Sequence, residues 1–306
     1  MMTGEKHAQK RQKRVRKTDQ LTMFGQTSLE DKVKRAIDRL RTFEPEEGYY
    51  LAFSGGKDSQ CIYHLAKEAG VKFDAHNNHT TVDPPELVYF IRENYPDVIV
   101  EKPPMTMWQL ILKKRMPPTR MARYCCEILK EHGGEGRICV TGVRWAESSR
   151  RKNSRAVIEL RKGKTTKPIL FNDNAEARRT METCQLKGKQ IVNPIVDWED
   201  EDVWGYIKSR GLKYCKLYDE GFDRLGCIGC PMAGQRERER EFQRWPAYKK
   251  AYIRAFEKLA KYRNENGLNE GRTYWGTGES IFDWWMEYKP PPQEIMDGQI
   301  EIDDFD

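Results

Sequence analysis

Two sets of residues in this 306-residue chain have the types and spacing that chemistry needs. The first is the run Ser54, Gly55, Gly56, Lys57, Asp58, Ser59, which follows a short apolar segment ending at Phe53 and precedes a helical pattern. A strand that feeds a glycine-rich turn into a helix start makes an anion site. The glycines let the backbone approach, free N–H groups point at the ligand, and the helix dipole favours negative charge. The string is neither G-x-x-x-x-G-K-[ST] nor G-x-G-x-x-G. The second set is four cysteines: the adjacent Cys125 and Cys126, and Cys227 with Cys230 in GCIGCP. Two thiolate pairs make a tetrathiolate site, with zinc or an iron–sulfur cluster as candidates. Adjacent ligands strain the chelate around one small ion, whereas a cubane spreads its irons over a larger volume, so the pattern favours [4Fe–4S]. Cys61 and Cys139 read as core, while Cys184 and Cys215 stand in polar stretches, where either has the setting of a working thiol.

The elements that must position these residues alternate. Strands are expected at about 49–53, 72–77, 98–101, 137–142 and 191–196, and helices at about 28–43, 58–69, 84–94, 107–114, 121–131 and 199–209. Short apolar strands alternating with helices predict an α/β fold, a doubly wound, Rossmann-like parallel sheet. In such sheets ligands sit at the carboxyl ends of strands, which is where Ser54–Ser59 lies. Residues 151–190 are polar and basic without a clear period and are expected to form a long loop or partly ordered insertion. Beyond Gln235, Tyr248, Tyr252, Phe256, Leu259 and Tyr262 fall on one helical face, predicting a core-facing stripe in a helical, aromatic-rich C-terminal region. The expected division is a disordered basic arm at 1–27, a nucleotide domain at 28–234 and the helical region at 235–306.

Charge is uneven. Residues 1–20 hold seven Lys/Arg and two acids, so +5 of the net +7 belongs to this arm. That suits either nucleic-acid contact through phosphates or a solubilising tail. Gln20–Phe24, QLTMF, resembles short clamp-binding peptides of DNA-processing proteins, though local packing explains it as well. Mean hydropathy is −0.85. No apolar run approaches a membrane span, so no membrane partner and a cytoplasmic location are expected, with the cysteines reduced.

SGGKDS resembles the PP-loop of the N-type ATP pyrophosphatases and of the PAPS (phosphoadenosine phosphosulfate) reductase family, in which it cradles the phosphates of an adenine nucleotide. The two cysteine pairs match the [4Fe–4S] pattern of that family's adenylyl-sulfate reductase branch. Thr141–Arg151, TGVRWAESSRR, resembles the family's G-x-R-x-x-E-S segment. This implies Arg144 at phosphate or sulfate oxygens, Glu147 and Ser148 orienting it, and Arg150 or Arg151 near the substrate mouth. Asn193–Trp204 and Leu217–Pro231 resemble later family segments, the second carrying Arg224 as a candidate substrate contact. The resemblance spans about residues 45–235.

One departure bears on activity. The family's reductases use a cysteine near the C-terminus as nucleophile, and here none follows Cys230. The resemblance is therefore closer to the ATP pyrophosphatases of DNA phosphorothioation than to true sulfonucleotide reductases. It implies ATP (or APS/PAPS) and Mg²⁺ at Ser54–Ser59. Lys57, Asp58 and Arg144 would act in attack at the α-phosphate, coupled to sulfur transfer onto nucleic acid or a small acceptor. A sulfur-donor protein and a second copy of the chain are the implied partners. The alternatives are a reductase with a relocated thiol and a non-catalytic nucleic-acid-binding accessory protein.

Overall fold

The structure, a computed structural model, describes residues 27–131, 133–162, 165–170, 189–268 and 275–287. The basic arm, QLTMF, Cys184 and the acidic end IEIDDFD lie outside the described residues. The strands are β1 (Tyr49–Ala52), β2 (Phe73–Asn78), β3 (Ile99–Glu101), β4 (Cys139–Val140), β5 (Ile158–Lys162), β6 (Thr165–Leu170) and β7 (Lys189–Val192). They form one sheet in the order β3-β2-β1-β4-β7-β5-β6. The first five in that order run parallel, with Tyr49 opposite Phe73, Tyr50 opposite Cys139, and Cys139 opposite Ile191. This is the mostly parallel α/β sheet that the alternation predicts.

The insertion is the exception. Within the stretch expected to be a loop, β5 and β6 pair antiparallel, and β5 also pairs antiparallel with β7. Strand β5 follows Ala156 and Val157, both fully buried, in a segment whose basic flanks mask its short apolar run. The fully buried Glu159 anchors this corner. Its carboxylate accepts from the Arg155 guanidinium at 2.7 Å, the Ala156 N–H at 3.0 Å and Asn193 Nδ2 at 3.0 Å.

Helix α1 (Leu29–Thr42) begins at Ser28, whose hydroxyl accepts from Asp31 N–H at 3.2 Å. Helix α2 (Lys57–Ala69) ends at Gly70, which takes the left-handed conformation (φ +71°) that glycine adopts without cost. Val33, Ala36 and Leu40 of α1, and Ile62 and Leu65 of α2, share one buried core with Tyr49, Leu51 and Phe53 from alternate positions of the first strand and its exit. Each such side chain contributes about 1.5–3 kcal/mol by burial. Tyr50 points the other way and joins Cys139 and Ile191 in a much smaller cluster, stacked on His76 at 4.1 Å. The chain leaves β1 toward β2 and β3 on one side and returns to β4 and β7 on the other, so the switch point lies between β1 and β4. The Ser54–Ser59 turn opens there.

The remaining helices are α3 (Pro85–Asn94), α4 (Met107–Lys114), α5 (Tyr124–Leu129), α6 (Ser149–Ser154), α7 (Asp200–Ser209), α8 (Gln235–Arg244), α9 (Pro246–Glu265) and α10 (Gly278–Glu287). The aromatic stripe on α9 turns inward, as its spacing predicts: Tyr252, Phe256 and Leu259 are buried with Phe282 and Trp285 of α10. Arg238 of α8 is fully buried against them, donating to the Trp285 carbonyl at 3.0 Å with its guanidinium 3.9 Å from the Trp285 ring. No helix among the described residues is long and apolar enough to cross a membrane.

Candidate functional site

The phosphate-loop candidate is held open by glycine and closed by charge. Gly55 has φ +76°, and a Cβ there would come within 2.6 Å of the Ile91 side chain on α3. Gly56 caps α2 with no side chain of its own. Behind the turn, Ser59 Oγ donates to the Gly56 carbonyl at 2.9 Å and Gln60 Nε2 to the Gly55 carbonyl at 3.0 Å. Ser54 and Ser59 hydroxyls meet at 3.2 Å. The loop's curvature is therefore fixed from inside the protein.

Four charged side chains face one another at the mouth. Lys57 is 7 % exposed; its ammonium donates to the Asp223 carbonyl at 3.0 Å and lies 3.6 Å from Asp200 Oδ1. Arg144 is 2 % exposed and every nitrogen of its guanidinium is engaged. Nε donates to Asp58 at 2.6 Å, Nη2 to Asp200 at 2.8 Å and Nη1 to the Trp198 carbonyl at 3.2 Å. Burial alone would raise the Asp200 pKa, but Arg144 and Lys57 outweigh it and hold the carboxyl below its usual range. Gly142 carries the β4 exit across the start of α2, where a Cβ would stand 3.0 Å from the Asp58 carbonyl carbon. Glu147 holds the backbone of this turn, accepting from the Arg144 N–H at 3.1 Å, and pairs with Arg151. Ser148 caps α6 through the Arg151 N–H at 3.2 Å. Burial, reinforced by Arg224 and Arg155, pushes Arg151 down to about 10, marking a basic rim.

The structure thus gathers Ser54, Gly55, Gly56, Lys57, Asp58, Ser59 and Arg144 into one place, with Glu147 one step behind. It adds three residues that the motif did not single out. Asp200, at the first position of α7, read as one acid in a run that favours a helix start. Tyr218 accepts the Lys57 backbone N–H at 2.9 Å, across 161 positions of sequence, and Asp223 acts through its carbonyl. No local signal foretells the last two.

The four cysteines line one pocket with Met107, Leu129, Lys130, Pro231 and Tyr252. α5 supplies Cys125 and Cys126, and a turn pressed against the C-terminal helices supplies Cys227 and Cys230. Gly229 between them has φ +71°, and a Cβ there would meet the Phe242 ring at 2.6 Å. Its N–H donates to Glu241 at 2.7 Å, and Tyr252 donates to the Ile228 carbonyl at 3.0 Å. The Cys227 thiol donates to Thr80 Oγ1 at 3.3 Å. None of the described cysteines is in a disulfide. Donation from Cys125, with Arg123 and Lys130 nearby, holds the Cys126 thiol below its usual range against the opposing effect of burial; Cys125 is pushed up. Among the described residues no three His, Cys, Asp or Glu side chains are placed to hold a metal ion. The four cysteines nevertheless line one pocket, with the cations Arg123 and Lys130 nearby, a donor chemistry that would suit a thiolate-bound group. Cys61, Cys139 and Cys215 are buried, and burial raises the Cys215 thiol.

Residues 48–233 match the model of the phosphoadenosine phosphosulfate reductase domain. An uncharacterized protein of Methanocaldococcus jannaschii is 27 % identical over 229 residues, 72 % of this chain and 43 % of that protein. A second from the same organism is 26 % identical over 293 residues, 87 % of this chain and 62 % of that one. The chain thus spans less than two thirds of the length of either. An adenosine 5′-phosphosulfate reductase of Staphylococcus haemolyticus is 26 % identical over 227 residues, 66 % of this chain and 79 % of the enzyme. Among solved structures, phosphoadenylyl-sulfate reductase from Candida auris superposes with a TM-score of 0.43 at 16 % identity, covering 67 % of this chain and 97 % of that one. With its domain match extending from β1 to the second cysteine pair, the chain belongs to the phosphoadenosine phosphosulfate reductase domain family.

Proposed function

We propose that the chain binds ATP at Ser54–Ser59 and promotes attack at its α-phosphate, releasing pyrophosphate, as the activating half of a sulfur-transfer reaction. The observation that carries this reading is the pair of carboxylates, Asp58 and Asp200, at the mouth of an anion loop. Arg144 already offsets both acids; phosphates arriving beside them add negative charge that a further cation would offset, which suits a magnesium nucleotide. In this reading Lys57 and the α2 N-terminus hold the phosphates. Arg144, buried and fully engaged, acts as a positioning residue that fixes both carboxylates. The rim of Arg151, Arg155 and Arg224 receives an anionic acceptor, nucleic acid among the candidates. Cys125, Cys126, Cys227 and Cys230 would hold a [4Fe–4S] cluster, which supplies structural order or a sulfide-carrying iron when bound.

Sulfonucleotide reduction is the second reading, supported by the named relatives. It needs a thiolate at the nucleotide, and Cys215 is 2 % exposed, leaving Cys184. Anaerobically purified protein is assayed for iron and sulfide, for ATP–pyrophosphate exchange, and for sulfite release from adenylyl sulfate. Exchange without sulfite is expected; sulfite without exchange overturns the proposal in favour of the reductase, and a zinc-loaded, iron-free protein overturns the cluster.

A further inference from the structure

The Lys57 backbone N–H is the amide that the loop would offer first to a phosphate, yet it already has a partner in Tyr218. The phenol oxygen accepts that bond, and among the described residues its own proton has no acceptor. The ring is fixed from the far side, edge-on to Trp204 at 5.0 Å and near Tyr214 at 6.4 Å. The Tyr214 hydroxyl in turn donates to Asp219 at 3.0 Å, steadying the turn that carries Tyr218. A Cβ at Gly56 would stand in ordinary van der Waals contact with the phenol oxygen, at 3.4 Å, so the loop passes close to that hydroxyl. The Lys57 ammonium lies 5.8 Å from the centroid of the same ring. Burial raises the phenol pKa, which keeps the proton on the oxygen at neutral pH.

We infer that the Tyr218 hydroxyl is a phosphate-binding donor of the loop. Anchored by the Lys57 N–H, it extends that amide's reach and donates a hydrogen bond to a non-bridging oxygen of a polyphosphate. The inference rests on the nucleotide reading above. The opposite possibility is that the hydroxyl is a plug, occupying the place of a phosphate oxygen until displaced. The two predict opposite signs for removal of one atom.

The test is calorimetric titration of full-length wild type and Tyr218→Phe with ATP, inorganic pyrophosphate and adenosine. The phenylalanine keeps the ring on Trp204. A lost hydrogen bond to a charged acceptor weakens ATP and pyrophosphate alike by about tenfold or more and leaves adenosine unchanged. Tyr89→Phe, at an exposed tyrosine outside this aromatic group, leaves all three unchanged and controls for the loss of a phenol elsewhere on the protein. Equal or tighter polyphosphate binding by Tyr218→Phe overturns the donor role, and tighter binding identifies the plug. Equal weakening of adenosine also overturns it, because that marks a disturbed site. Wild type that binds pyrophosphate but not ATP leaves the donor role standing and removes the nucleotide reading; wild type that binds neither removes both.

Discussion

The phosphate loop and the cysteine pocket solve the problem of holding a reactive group in opposite ways. At the loop, Lys57, Arg144, Asp58 and Asp200 bind one another in alternating sign, and the backbone curvature is fixed by Ser59 and Gln60. At the pocket, the thiols are seated by shape. Gly229 leaves no room for a Cβ beside the Phe242 ring, and Tyr252 lines the pocket from the C-terminal helices. A charge network fixes direction and tolerates water at its edge; an apolar seat excludes water and tolerates little change in volume. One region should therefore fail through unpaired charge and the other through misfit.

The largest effect is expected at the network's centre. Arg144→Ala removes the guanidinium that Asp58 and Asp200 share, leaving Asp200 to Lys57, and should cost about 3 kcal/mol in urea unfolding, at the lower end for a broken buried pair because Asp200 is well exposed. An unchanged urea midpoint would break the comparison at its root. Gly229→Ala tests the seat: a positive φ and a 2.6 Å approach to Phe242 should together cost about 2 kcal/mol and reduce bound iron, while ATP binding stays within about twofold. Coupled loss of both would show that the two regions are one. Lys57→Ala should weaken ATP binding by about tenfold or more in the same titration, with stability changed by less than about 1 kcal/mol.

The smallest effect concerns acid. The folded Asp200 pKa is lowered, so its contribution is present above the unfolded value near 3.8 and is lost as pH falls through the lowered folded value. Asp200→Asn should flatten that acid limb in urea midpoints measured between about pH 2 and 5. An identical limb in the variant would place the acid sensitivity elsewhere.

How much of this was legible in the sequence follows from how local each interaction is. Ser54–Ser59 is contiguous, and its position at the end of β1 follows from the apolar run before it. The cysteine pairs were visible as pairs; that they share one pocket was an inference from chemistry that the packing of α5 against the GCIGCP turn accommodates. Arg144 was visible, but its partners were not, since Asp58 and Asp200 are 86 and 56 positions away. The β5–β6 hairpin was hidden because the alternation in Ile158–Lys162, IELRK, is too short to stand out within a basic stretch, and Thr165–Leu170, TTKPIL, does not alternate. Tyr218 reads as one more aromatic in LYDEG, and only the closed fold brings it to Lys57.

The sheet order also bears on the cysteine pocket. One hundred residues separate Cys126 from Cys227, and between them run β4, β5, β6 and β7, which pair with one another and, through β4, with β1. Closing so long a loop costs entropy, and the parallel β1–β4 and β4–β7 pairings on which it depends are non-local. The two thiol pairs are thus strangers in the nascent chain and neighbours only in the finished one. A group held by all four thiols would draw on contacts that only the closed sheet brings together.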